Sequence, residues 1–261
     1  MAKITWVAYS PSTGNPNAGI EPEVEEIEAD LAVLRSAHFT GLVTYGSGGV
    51  LGLELPRLAQ SAGFRGLIIG IWDPKNEQEL SAAKKAAASP IVLGYCVGNE
   101  GFQKRYDLSE LSLAMERIRT TTGKPVTTTE EIDDYHEHEQ LLTIGDWVFP
   151  NVHPYFHNKF APKSATRWTR HEFEKLSGKT TQLVLFKEVG MPTAGNEDAY
   201  LSETSQDEYY EELAKTDVRF VYFEAFDLTW KDHLPIEPHW GLFRSDRKPK
   251  VLALRLIGKN Q

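Results

Sequence analysis

The feature that most limits what this chain can fold into is a strict alternation of short apolar runs with longer amphipathic stretches. The apolar runs are strand-sized and bounded by Gly, Pro, Asn or Asp, as buried strands are. They fall at Ile4–Tyr9, Gly41–Tyr45, Gly66–Trp72, Ile91–Val97, Pro125–Thr129, Asp146–Asn151, Gln182–Glu188 and Arg219–Phe226. Between them lie stretches with helical spacing: Glu23–Ser36, Val50–Ala62, Glu77–Ala88, Leu108–Thr122, Asp133–Leu142, Ala165–Leu176, Ser205–Lys215 and Pro249–Ile257. In the first of these, Val24, Ile27, Leu31 and Leu34 mark one apolar face. Eight strands and eight helices at roughly 30 residues per unit predict an α/β fold of one kind, a single (β/α)8 TIM barrel over residues 1–261. A doubly wound sheet would carry a Gly-rich phosphate turn after its first strand, and Ser10-Pro11-Ser12-Thr13-Gly14 is not one.

Composition narrows the partners. With 41% apolar residues the chain can bury a full core. A net charge of −9 argues against nucleic acid or an anionic membrane as partner and fits a neutral or cationic ligand. The lone cysteine, Cys96, allows no internal disulfide. Met1 to Trp6 runs straight into a strand with no signal-peptide core, no apolar run is long enough for a membrane helix, and no Asn-x-Ser/Thr sequon occurs. These features leave the compartment open. No cofactor or metal is expected, and the chain is expected to be a monomer.

In a barrel of parallel strands, reactive groups gather at the C-terminal strand ends. Here those ends carry Tyr9, Tyr45, Trp72-Asp73, Asn99-Glu100, Glu130-Glu131, Asn151 to Tyr155, Glu188 and Glu224 to Trp230. A rim of rings, amides and carboxylates suits a carbohydrate, because rings stack on apolar sugar faces while amides and carboxylates bind hydroxyls.

Two of these residues define a reaction. The buried run Ile91-Val92-Leu93 leads into Gly98-Asn99-Glu100, and Leu183 to Phe186 leads into Lys187-Glu188-Val189-Gly190. Cleaving a glycosidic bond needs an acid for the leaving oxygen and a carboxylate at the anomeric carbon. The fourth and seventh strands of an eight-stranded barrel face each other across the mouth. Two carboxyls that close cannot both ionise easily, so one stays protonated while hydrogen bonds keep the other charged. The Asn99 neighbour favours Glu100 as acid, with Asn99 on the hydroxyl next to the reacting carbon and Glu188 as nucleophile. Tyr45 and Tyr155 are candidates to hydrogen-bond Glu188. A sugar-binding barrel without catalysis would need the aromatic rim but not the pair.

The pattern resembles the family 17 glycoside hydrolases, the β-1,3-glucanase and glucanosyltransferase family. The resemblance rests on Val97-Gly98-Asn99-Glu100, on Glu188-Val189-Gly190-Met191-Pro192-Thr193, and on Asn151-Val152-His153-Pro154-Tyr155-Phe156. It extends to Leu42 to Gly46, to Phe223 to Asp227 with Trp230-Lys231, and to His239 to Phe243. It implies a retaining enzyme on β-1,3-glucan with Glu100 as proton donor and Glu188 as nucleophile. With the rim, it implies that Asn99, Tyr9, Tyr45, Tyr155, Phe156, Asp227, Trp230, Lys231 and Trp240 bind the glucan. A polysaccharide substrate implies an extracellular or periplasmic site of action. The sequence departs from the family pattern at Lys187, where Gly is usual, at Met191, where Trp is usual, and at His153, where Tyr is common. Linkage preference, and hydrolysis against glucanosyl transfer, stay open.

Other clusters have two readings. His136 and His138 among Asp133, Asp134, Glu137 and Glu139 are a metal site or, on a helix, a solvated face. Gly46-Ser47-Gly48-Gly49 is a phosphate cradle or a barrel loop. Cys96 is read as a buried inert thiol, and His239 with Trp240 as a sugar subsite or loop packing. Glu130 and Glu131 bind substrate or are rim charges.

Overall fold

The computed structural model of this protein describes residues 4–258. The ends of the 1–261 domain, Met1 to Lys3 included, therefore lie outside the described residues. Its strands are β1 (Trp6–Ala8), β2 (Gly41–Val43), β3 (Gly66–Ile71), β4 (Val92–Val97), β5 (Val126–Thr127), β6 (Phe186–Val189) and β7 (Phe220–Tyr222). All pair in parallel, in the order β5-β4-β3-β2-β1-β7-β6, a sheet curled as a half-barrel. Eight α-helices are seen among the described residues: α1 (Val24–Ser36), α2 (Gly49–Ser61), α3 (Glu77–Ala86), α4 (Leu108–Thr122), α5 (Ile132–Glu137), α6 (Pro162–Ser177), α7 (Glu203–Ala214) and α8 (Val251–Gly258). None is long and apolar enough to cross a membrane.

One expected strand is missing as a strand. Residues 146–151 make single bridges, Val148 to Val184 on one flank and Asn151 to both Glu131 and Glu188. The segment still lies between β5 and β6. Asp146 N–H donates to Val126 and Asn151 N–H to Glu130, while Leu185 and Lys187 donate to Val148 and Pro150. Pro150 has no N–H to give, which interrupts a continuous ladder. The helix expected over Asp133–Leu142 is also broken. It is α5, a non-helical residue at His138, and a single 3-10 turn at Glu139–Leu142.

Alternation along the strands sorts the core. Val7, Leu42, Leu67 and Tyr95 face the helices, where they meet Leu31, Leu58, Ala83 and Leu111. Their neighbours Ala8, Val43, Ile68 and Cys96 face inward and join Trp147, Phe149 and Val221 in a second cluster. Side chains thus fill the inside of the sheet, as in barrel proteins, and Cys96 is one of them. Its thiol is buried and pushed up to about 12, chiefly by that burial. This packing leaves only the strand ends to carry chemistry.

Candidate active site

Glu100 leaves β4 on a strained turn. Gly98 has φ 79, and a Cβ there would meet the Tyr106 hydroxyl at 2.4 Å, so glycine is required. Glu100 itself sits at φ 49, a conformation that non-glycine residues hold only where the surroundings impose it. The constraints are visible. Glu100 N–H donates to Thr129, Gly101 N–H to the Tyr106 hydroxyl, and Phe102 N–H to Glu130 Oε2. The Tyr106 hydroxyl in turn donates to Glu130 Oε1 at 2.8 Å. Glu130 is therefore a buried clamp on the loop that carries Glu100, while Glu131 is exposed at the cleft.

Glu188 sits within β6, on the opposite side of the opening. The β6–β7 register shifts between Phe186 and Val189. That irregularity lets the adjacent residues Lys187 and Glu188 meet, although successive side chains on a regular strand point apart. Lys187 Nζ donates to Glu188 Oε1 at 2.8 Å and to Asn99 Oδ1 at 2.5 Å. His153 Nε2 lies 3.2 Å from Glu188 Oε2. Just past β6, Gly190 is required because a Cβ would meet the Phe223 carbonyl at 1.9 Å.

The irregular segment between β5 and β6 supplies the link between the two carboxyls. Asn151 Nδ2 donates to Glu100 Oε1 at 2.6 Å, and its Oδ1 accepts from Thr129 Oγ1. Two residues on, His153 reaches Glu188. One carboxyl oxygen of Glu100, one of Glu188 and a His153 ring nitrogen lie within 4.8 Å of one another. The Lys187 ammonium already supplies the positive charge at that point, which disfavours a metal ion.

The environments drive the two carboxyls apart. Burial raises Glu100, and the nearby charge of Glu188 raises it further, against the pull of Asn151. Burial would also raise Glu188, but Lys187 and His153 more than reverse that and hold it at about 2. One group is suited to hold a proton and the other to remain a carboxylate. Behind them, Glu224 takes both its oxygens to Lys231 Nζ at 2.9 Å, and burial still lifts it to about 7.

The pair opens into a cleft of about 1240 Å³. Of the residues expected to bind substrate, Asn99, Tyr45, Phe156, Trp230, Lys231 and Trp240 line it. Tyr9 lines its base, but is fully buried with its hydroxyl given to Asp30. Tyr155 and Asp227 are not brought to the wall. The Tyr155 hydroxyl accepts from Asn196, the hydrogen bonds of the Glu188 carboxyl run instead to Lys187 and His153, and the Tyr155 ring packs on Trp240 and Phe156. Asp227 pairs with Lys250 and accepts from Gly241 N–H beside Trp240. The Tyr45 hydroxyl is buried toward Glu188 without completing a well-formed hydrogen bond, its ring 4.2 Å from Lys187 Nζ.

Lys187, His153 and Asn151 were not among the residues singled out for the reaction. The first two were visible in the sequence only as departures from a motif. The glycine loop is no free anion cradle, since Glu79 accepts from Ser47 N–H and Glu21 from Val50 N–H at the start of α2. His136 pairs with Glu172 at 2.6 Å while the His138 ring meets Phe102, so the two imidazoles have separate partners.

Residues 7–241 match the BtgE/BtgC glycoside hydrolase domain, and the chain belongs to that family. It is 28% identical to the probable beta-glucosidase btgE of Aspergillus fumigatus over 91% of this chain, and spans 44% of that protein's length. It is 27% identical to a glucan 1,3-beta-glucosidase of Arthroderma benhamiae, covering 90% of this chain and 86% of that one. In fold it is similar to a glycoside hydrolase family 17 beta-1,3-glucanosyltransferase from Rhizomucor miehei, with a TM-score of 0.78 at 22% identity over 95% of this chain and 96% of the other.

Proposed function

We propose that this member of the BtgE/BtgC glycoside hydrolase domain family cleaves β-1,3-glucan with retention of configuration, Glu100 being the acid and base and Glu188 the nucleophile. The observation that carries the reading is the pair itself. One oxygen of each carboxyl within 4.8 Å of the other is nearer the about 5–5.5 Å spacing of retaining enzymes than the about 6.5–9.5 Å of inverting ones. Their opposite shifts support distinct roles for the two. β-1,3-Glucan as substrate is supported by the activity named for the Arthroderma relative.

In the first step a Glu188 oxygen bonds the anomeric carbon, the glycosidic bond breaks, and the Glu100 proton passes to the leaving oxygen. In the second, Glu100 takes a proton from the incoming hydroxyl as that oxygen displaces Glu188. Asn99 binds the adjacent sugar hydroxyl. Lys231 keeps one N–H free beyond its two bonds to Glu224, and Tyr45, Phe156, Trp230 and Trp240 offer rings to the sugar faces. Tyr155 and Asp227 support Trp240 from behind. Bridges on both flanks of residues 146–151 support reading the sheet as a closed (β/α)8 barrel of the family 17 kind. Incubation with laminarihexaose tests the activity. Shorter oligosaccharides with the β-anomer formed first are expected. Products longer than the hexaose would instead identify a glucanosyltransferase, and initial α-anomer would refute retention.

A further inference from the structure

Lys187 is buried to 1% exposure, and among the described residues its ammonium donates to Asn99 and Glu188. Burying an ammonium is costly unless it is paired, so the position calls for an explanation. We propose that Lys187 is a positioning residue of this reaction: its one ammonium both supplies the counter-charge of Glu188 and turns the Asn99 amide so that its NH2 group faces the bound sugar. The proposal rests on Glu188 being the nucleophile.

The amide orientation follows from donor chemistry. An ammonium has three donors and no acceptor, so the Asn99 atom that meets it is the carbonyl oxygen. The NH2 group is thereby sent the other way, and Asn99 is one of the residues that line the cleft. A neutral donor or a small residue at position 187 would leave both flips of the amide open.

The counter-charge argument follows the reaction. When a Glu188 oxygen bonds the anomeric carbon, its negative charge is lost in the ester. The same step moves the Glu100 proton to the leaving oxygen, so the charge reappears on Glu100. The pair carries one negative charge before and after, and Lys187 balances it throughout. Among the described residues, Lys187 is the lysine in contact with Glu188, and the His153 imidazole is the other contact. Facing Glu188 are His153 at 3.2 Å, Glu100, the Tyr45 hydroxyl, Cys96, and Glu224, whose oxygens both accept from Lys231.

The test uses protein with 13C-labelled glutamate carboxyls and 15N-labelled asparagine, in the natural sequence and as Lys187→Met and Lys187→Gln. The Glu188 signal is assigned by its loss in Glu188→Gln. In both Lys187 variants its titration is expected to rise by at least about one pH unit, as removal of a contact charge requires. The Asn99 NH2 signal is expected to split or broaden in both variants, because Met offers no donor and Gln offers a donor and an acceptor alike. The acid limb of kcat/KM on laminarihexaose moves up with the carboxyl titration in both variants. A merely structural lysine would lower activity equally at every pH. An unmoved Glu188 titration in folded variants overturns the counter-charge, and a sharp, unchanged Asn99 signal in Lys187→Met overturns the orientation. If the natural sequence turns over no laminarihexaose, the proposed function fails, while both spectroscopic readouts still decide the role of Lys187.

Discussion

Glu100 and Glu188 are the same residue at two strand ends, and the structure treats them oppositely. Glu100 stands on a strained turn after β4, partly open to the cleft, with one neutral amide as its partner. Glu188 lies inside β6, almost fully buried, between an ammonium and an imidazole. Burial alone would raise both. What separates them is that only Glu188 has cationic company in contact. The comparison shows that contacts set the two apart: Lys187 on the same strand and His153 on the segment before it meet Glu188, while a neutral amide meets Glu100.

The sharpest way to break the comparison is to remove each carboxyl and ask which chemistry returns. Glu188→Ala should lower kcat on an aryl β-glucan oligosaccharide by on the order of 10⁴-fold or more. Added azide should then give the glycosyl azide of inverted configuration. Glu100→Ala should lose about 10²- to 10⁴-fold on a substrate with a poor leaving group and much less with an activated one. Azide should then give the retained azide. The same azide anomer from both variants would erase the distinction.

A third glutamate sharpens it. Glu130 clamps the Glu100 loop and is pushed up to about 7, chiefly by burial. Its folded value is raised, so the stability it contributes is fully present below its ordinary value of 4.5 and is lost as pH rises through about 7. Glu130→Gln keeps a hydrogen-bond acceptor for Tyr106 and removes the titration. Thermal unfolding of the variant should therefore lose less stability between those pH values, by on the order of 1 kcal/mol. Parallel curves for the two proteins would show that burial does not govern Glu130.

The smallest effect is expected at Tyr45. Its hydroxyl points toward Glu188 without a formed bond, so Tyr45→Phe should lower kcat by only about 2- to 10-fold, the worth of one ordinary hydrogen bond. A loss as large as that of Glu100→Ala would mean that Tyr45 belongs with Lys187 and His153 as a holder of the nucleophile.

Much of this was legible in the chain. The alternation of apolar runs carried the α/β class, the parallel strands and the helices other than the broken one at Asp133–Leu142 to within a few residues, because burial on two periodicities writes itself into sequence. The two glutamates were legible too, since a buried strand ending in Asn99-Glu100 has no packing reason to do so. Residues 146–151 read as a strand because apolar alternation is local, whereas the loss of the ladder at Pro150 depends on which neighbours need its N–H. Tyr155 and Asp227 looked like rim residues for a similar reason. Position at a strand end is written in sequence, but the direction of a side chain is set by contacts such as Asn196 and Lys250.

By itself, then, the sequence determined which elements form, their order, and which two carboxyls end up at the mouth. Only the tertiary structure decided the surroundings that set the two carboxyls apart. Lys187 is adjacent to Glu188 in sequence, and on a regular strand it would point away. The register shift in β6 turns it back, and the irregular segment at 146–151 with the residues just after it brings Asn151 to one glutamate and His153 to the other. Protonation is a matter of charges and dipoles within a few ångströms, and those distances exist only once β4, β6 and the segment between β5 and β6 have packed together.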